Sequence, residues 1–125
     1  MILGVGVDVV DVERIRRVLL RWGRKFTDRV LTPAEAEYCA RHTDIGPFVA
    51  ARIAAKESLF KALGTGLARG MAWRQVEVER GRSGSPGLRL YGETLRRLRE
   101  MGVRRIHVSM SHSEHVAQAV VILEG

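Results

Sequence analysis

Asp8, Glu57 and Lys61 are the residues whose types and spacing could do chemistry. Asp8 ends an apolar, glycine-punctuated run, "GVGVDV", and Glu57 and Lys61 lie four apart in "RIAAKESLFKALGTG". At 100° per residue, Glu57 shares one helical face with Ala50, Ile53, Ala54, Lys61 and Gly64. Small side chains on that face, set opposite the bare glycines of the strand, let the two elements approach closely and bring Glu57 next to Asp8. Two converging carboxylates repel, and one of them tends to keep a proton. A hard divalent cation removes the conflict, and Mg²⁺ takes one or two carboxylates together with substrate phosphates. Lys61, one turn beyond Glu57, would sit beside such phosphates as a point charge. Taken singly, Glu57 and Lys61 are an ordinary i, i+4 pair and Asp8 a cap for the following helix; their conjunction is what favours a site.

Lysine is rare here. Of 21 basic residues only Lys25, Lys56 and Lys61 are lysine, and a compact, mobile ammonium does different work from a planar guanidinium. Lys56 falls on the stripe of Val49, Phe60 and Leu63, which predicts a packed stem with the charged head led outward.

The elements that position these residues follow from periodicity. Residues 1–10 alternate as a strand, with Met1, Leu3, Val5, Val7 and Val9 on one face and Ile2, Gly4, Gly6, Asp8 and Val10 on the other. Asp11 is an N-cap for an amphipathic helix with Ile15, Val18, Leu19 and Trp22 on its apolar side and Arg14, Arg17, Arg21 and Arg24 on its basic side. "TPAEAEYCARH" carries Thr32, Pro33 and Glu35 in the spacing of a capping box. After a loop at 43–47, the longest helix spans about 48–63 and stops at Gly64. Strands near 75–80 and 88–91 flank the turn "GRSGSPG", a helix follows over 93–101, and "RRIHVSMS" and "HVAQAVVIL" form a last antiparallel pair about a turn at 111–114.

With 125 residues and neither repeat nor linker, the chain is expected to be one domain, 1–125, of α+β class: a long helix on an antiparallel-rich sheet, with the basic helix at its rim. Cys39 cannot pair internally and is expected to be packing; no export signal or spanning segment is present, which predicts a cytoplasmic protein with no membrane partner. His112 and His115 lack the further ligands that zinc requires. A net charge of +7 and an isoelectric point near 10.7 call for an anionic partner. Nucleic acid is the alternative to a phosphorylated substrate or acidic protein, but seven scattered aromatics form no stacking platform and no nucleic-acid motif is present. A non-catalytic adaptor for acidic proteins would leave Asp8 and Glu57 without a task.

"GVGVDVVDVERI", "RIAAKESLFKALGTG" and "VSMSHSEHVAQAVV" together resemble the signature blocks of the holo-[acyl-carrier-protein] synthase family, the short 4′-phosphopantetheinyl transferases, over essentially the whole chain. The resemblance implies Mg²⁺-dependent transfer of 4′-phosphopantetheine from coenzyme A to a serine of apo acyl carrier protein, for fatty acid biosynthesis, with release of adenosine 3′,5′-bisphosphate. It implies Asp8 and Glu57 as metal ligands and Lys61 as the phosphate contact. Arg52, Gly84 and Pro86 of the turn, Ser111 and His112 match positions that hold the nucleotide, and Arg14, with Arg17 and Arg21 beside it, matches the basic helix that meets the carrier. It also implies a homotrimer with Asp8 and Glu57 from one chain and Arg52, the Gly84 turn and His112 from its neighbour. The apolar strand "HVAQAVVIL", needing cover on both faces, supports this in part. Ile53 and Met110 depart from the family pattern without touching these positions. For the serine proton, Glu57 and a metal-bound water are the candidates, the water held by Glu57 being favoured over His112.

Overall fold

In the computed structural model, which describes residues 1–68, 70–81 and 83–125, the chain opens with strand β1 (Ile2–Asp11) and helix α1 (Val12–Trp22). Then come α2 (Arg24–Val30), α3 (Pro33–Ala40) and the long α4 (Gly46–Leu63). A short 3-10 turn at Trp73–Gln75 leads into β2 (Val76–Arg80) and β3 (Pro86–Leu90), and the chain ends with α5 (Gly92–Glu100), β4 (Arg105–His112) and β5 (Val116–Glu124). The strands form two antiparallel sheets, β1-β5-β4 and the β2-β3 hairpin. This is the expected α+β architecture, with α4 laid across the larger sheet.

Local chemistry sets most boundaries as expected. Asp11 caps α1 by accepting from the Glu13 N–H at 3.3 Å. Thr32 and Glu35 form both halves of the capping box of α3. Gly64, at φ 75°, ends α4 in the left-handed conformation that suits glycine.

Four details differ. The seven-residue α2 was not apparent in the sequence; the chain breaks at Gly23 (φ 52°) and restarts with no side-chain cap to announce it. α4 begins at Gly46 rather than 48, because Pro47 is accepted in the first turn of a helix. The β4–β5 turn lies at 113–115, since Ser111 and His112 still pair with Gln118 and Ala117. Trp22, expected on the packed side of α1, is half exposed at the helix end. Arg82, within the expected β2–β3 turn, lies outside the described residues.

Gly4 and Gly6 explain how α4 meets the sheet. A Cβ on Gly6 would enter the carbonyl of Ser58, and one on Gly4 the carbonyl of Ala62, so only bare backbone fits there. Ser58 then donates to the Ala119 carbonyl at 3.0 Å, fastening the helix to β5. No helix among the described residues is long and apolar enough to cross a membrane.

Candidate active site

Every residue of α4 is buried except Phe48, Glu57 and Lys61. In a helix otherwise covered all round, two charged residues left within reach of solvent mark a place where the covering was left open. Glu57 faces the end of β1, where the alternation that turns Gly4 and Gly6 inward turns Asp8 inward as well. The Lys61 ammonium donates to Asp8 Oδ1 at 2.9 Å and to the Val7 carbonyl at 3.0 Å. Asp8, Glu57 and Lys61 are thus brought together as their spacing predicts.

Asp8 Oδ2 is buried, and with Glu57 ionised no hydrogen-bond donor meets it. A proton on Glu57 supplies that donor. Burial above all, then the hydrogen bond to Asp8 and its charge, push the Glu57 carboxyl from 4.5 up to about 7, against the opposing charges of Lys61 and Arg14. Burial also works to raise Asp8, but hydrogen bonds from Glu57 and Lys61, the Lys61 charge and the Val9 N–H outweigh it and leave its carboxyl below the usual range. The pair shares a proton near neutral pH.

A divalent cation would fit this arrangement, because it gives the orphaned Asp8 oxygen a partner and replaces the shared proton. Among the described residues no third His, Cys, Asp or Glu joins the pair. Such a donor set suits a hard ion that draws its remaining ligands from water and substrate oxygens.

The carboxylates lie in a cleft of about 460 Å³ with Arg14 and Arg29 in its walls and Val18, Phe26 and Ile53 as apolar lining. A groove of about 320 Å³ shares Val18, Phe26 and Arg29 and runs on to Trp22 and Lys25. Arg29 and Phe26 belong to α2, so the missed helix supplies one wall of the cleft. Their i, i+3 and i+4 spacing with Val30 was the available signal. Arg17 and Arg21 are exposed on α1, outside the cleft walls.

Arg52, Gly84, Pro86, Ser111 and His112 do not line this cleft. Several of them meet elsewhere, around Tyr38 and Phe48. Arg52 is buried, its guanidinium lies 4.3 Å from the Tyr38 ring centroid, and Nη1 donates to the Phe48 carbonyl at 3.2 Å. Its Nε is buried without a partner. The His112 ring meets Phe48 edge-on at 5.0 Å, and Ser111 precedes it at the exposed end of β4. Arg80 lies 5.2 Å from the Tyr38 ring and donates from Nη1 to the Gly84 carbonyl at 3.2 Å, which ties the turn to the same cluster; Pro86 pairs with Arg80 across the hairpin. A groove of about 420 Å³ lies along Tyr38, Arg41, Arg52 and Arg80, with Glu35, Glu37, Glu77 and Glu79 also in its walls. The idle Arg52 N–H offers an anion a donor, while the glutamates around it offset the arginine charge in this groove.

Lys56 corrects an expectation. Its head does not lead outward: the side chain is fully buried and its ammonium pairs with Glu35 Oε1 at 2.6 Å. Helical periodicity gave the direction of the side chain correctly, but nothing local revealed that α3 places a carboxylate there.

The chain matches the model of the 4′-phosphopantetheinyl transferase superfamily over residues 4–120. It is 45% identical, over 125 residues, to holo-[acyl-carrier-protein] synthase of Syntrophus aciditrophicus, covering 100% of this chain and 98% of that protein. Among solved structures, holo-[acyl-carrier-protein] synthase of Neisseria meningitidis superposes with a TM-score of 0.89 at 35% identity, covering 100% of both chains. The Bacillus anthracis synthase, in complex with CoA (3′,5′-ADP), gives 0.80 at 34% identity, covering 98% of this chain and 96% of that one. Likeness in sequence and in fold along the full length leads to one assignment: the chain belongs to the 4′-phosphopantetheinyl transferase superfamily, among its holo-[acyl-carrier-protein] synthases.

Proposed function

We propose that this protein transfers the 4′-phosphopantetheine arm of coenzyme A to a serine hydroxyl of an apo acyl carrier protein, in a Mg²⁺-dependent reaction that releases adenosine 3′,5′-bisphosphate. The setting is fatty acid biosynthesis in the cytoplasm, and residues 1–125 act as one transferase domain. Family membership supports the substrate pair, and the coenzyme A complex of the Bacillus anthracis synthase supports the donor. The observation that carries the mechanism is the half-buried pair of Asp8 and Glu57 facing one cleft, with Lys61 2.9 Å from Asp8.

In the reaction the serine Oγ attacks the phosphorus on the pantetheine side of the diphosphate, the bridging P–O bond breaks, and the bisphosphate leaves with the bond's electron pair. Mg²⁺ held by Asp8 and Glu57 would offset the charge on the diphosphate oxygens. Lys61 brings its ammonium to the same oxygens, since the mobile stem can move from Asp8 to a neighbouring phosphate. A water held by Glu57 takes the serine proton and passes it to solvent. The apolar walls at Val18, Phe26 and Ile53 limit water around the reacting phosphorus.

Arg14, Arg17 and Arg21 meet the acidic carrier; Arg14 also lines the cleft, so the carrier surface and the carboxylate pair adjoin. Arg52, Gly84, Pro86, Ser111 and His112 hold the nucleotide end of coenzyme A, with the idle Nε of Arg52 as a phosphate donor. The family resemblance implies a complete site between neighbouring chains of a homotrimer, and the position of this second group off the first cleft supports it. Val5, Val7 and Val9, each more than half exposed in a row on β1, supply an apolar face for such an assembly.

The test is mass spectrometry. Apo carrier incubated with coenzyme A, Mg²⁺ and this protein should gain the mass of one phosphopantetheine group, and Asp8→Ala or Glu57→Ala should abolish the gain. An unmodified carrier with the native protein, or undiminished transfer by both variants, would contradict the reading.

A further inference from the structure

Lys56 has no task in the chemistry above, yet it heads the fully buried side chains by volume. Its ammonium reaches Glu35 Oε1 at 2.6 Å, the Val30 carbonyl at 2.7 Å and the Trp73 carbonyl at 3.1 Å. Three acceptors use all three protons of a charged lysine. Burial pushes the Lys56 pKa down, against the pull of Glu35. Glu35 is equally occupied: Oε1 also accepts from the Thr32 N–H at 2.8 Å and Oε2 from the Val78 N–H at 2.7 Å. One point on α4 is thereby tied to the end of α2, the start of α3, the 3-10 turn and β2.

A buried ion pair is a weak source of net stability, because apolar residues of similar volume often serve as well. Its distinctive contribution is direction. Ser58 fastens α4 to β5 on the sheet side, whereas Ala51 and Ala55 give no directional contact, so the bonds of Lys56 supply direction away from Ser58. Glu57 follows Lys56 directly and faces Asp8 across the same cleft. A side-chain carboxylate lies roughly 5–6 Å from a helix axis, so a roll of about 10° moves it by about 1 Å. Misplacement on that scale costs about a hundredfold in rate.

We propose that Lys56, through its bonds to Glu35, Val30 and Trp73, is a positioning residue that fixes the roll of α4 and so the approach of Glu57 to Asp8. The proposal rests on reading Asp8 and Glu57 as a divalent-cation site. The full chain is compared with Lys56→Met, with Glu35→Gln, which keeps the shape and one acceptor, and with Val76→Ala, a truncation of a fully buried residue in β2. Binding of Mn²⁺ alone is read from the free-ion electron paramagnetic resonance signal at a temperature where near-ultraviolet circular dichroism shows each protein folded. Thermal midpoints and the kcat-against-KM split with coenzyme A are measured beside it.

Lys56→Met and Glu35→Gln are expected to weaken Mn²⁺ binding tenfold or more and to lower kcat more than they change KM. Val76→Ala should lose thermal midpoint and bind Mn²⁺ as the native protein does. Wild-type Mn²⁺ affinity in folded Lys56→Met or Glu35→Gln overturns the proposal, as does an equal weakening in Val76→Ala, which would mark a general effect of stability. If Lys56→Met does not fold, Glu35→Gln decides. If the native protein does not bind Mn²⁺, or Asp8→Ala binds it equally well, the cation-site reading itself fails and the proposal falls with it.

Discussion

Replacing Glu57 by glutamine should stabilise the metal-free protein, in a way that depends on pH. The Glu57 carboxyl is pushed from 4.5 up to about 7, first by burial and then by Asp8. Its folded-state value therefore lies above its unfolded one. The stability tied to its proton is complete below about pH 4.5 and is lost as pH rises through about 7. The whole interval corresponds to roughly 3 kcal/mol, and solvent at the mouth of the cleft screens this to about 1–2 kcal/mol. Glutamine keeps the shape, offers a donor to Asp8 Oδ2 and cannot ionise. Relative to its offset at pH 5, Glu57→Gln should gain about 1–2 kcal/mol by pH 8.5, a rise of about 3–10 °C in thermal midpoint for a chain of this size. The assay is denaturation in chelator at one fixed protein concentration across that pH range. Adding Mg²⁺ at pH 8.5 should reverse the order, because the ion binds the folded, deprotonated pair. An offset that stays constant across pH, or one that turns against the variant as pH rises, would refute the reasoning.

Gly6→Ala, whose Cβ would enter the Ser58 carbonyl, should cost about 1–3 kcal/mol by forcing β1 off α4; it should also weaken Mn²⁺ binding by parting Asp8 from Glu57, whereas Gly87→Ala, with its nearest neighbour atom at 4.0 Å, should do neither. Arg17→Glu with Arg21→Glu should raise KM for an acidic carrier at least tenfold at low salt and leave KM for coenzyme A unchanged, with the deficit shrinking as salt is added; a KM that does not respond would remove α1 from the carrier surface. Mixing Asp8→Ala chains with Arg52→Ala chains should restore part of the activity that each lacks, and failure after subunit exchange has been verified would count against sites shared between chains.

Legibility in the sequence followed the range of the interactions. The capping box of Thr32 and Glu35 was readable because its partners are three residues apart, and the glycines of β1 announced a close approach because nothing else suits bare backbone in a strand. Asp8 and Glu57, 49 positions apart, were joined only because strand alternation and helical periodicity both pointed inward. The same wheel gave the direction of Lys56 but not its destination, since its acceptors lie 26, 21 and 17 residues away. Glu35 was read as a cap and is also the counter-ion of Lys56, a second role that only tertiary packing reveals. α2 was missed because it is short, starts at a glycine and carries no capping side chain. The gathering of Arg52, His112 and the Gly84 turn around Tyr38 and Phe48 has no periodic signature, and only the family resemblance drew those residues out. Net charge narrowed the partner to an anion and could not choose among anions; the relatives made that choice.

The central claim is that one divalent ion joins the tip of β1 to the middle of α4 while holding the diphosphate of coenzyme A. Anomalous diffraction from crystals grown with Mn²⁺ and coenzyme A tests it directly. A manganese peak coordinated by both Asp8 Oδ and Glu57 Oε, with diphosphate oxygens completing its shell and Lys61 turned to the phosphate, is the predicted result. A peak that touches neither carboxylate, or a bound diphosphate remote from the pair, would contradict it.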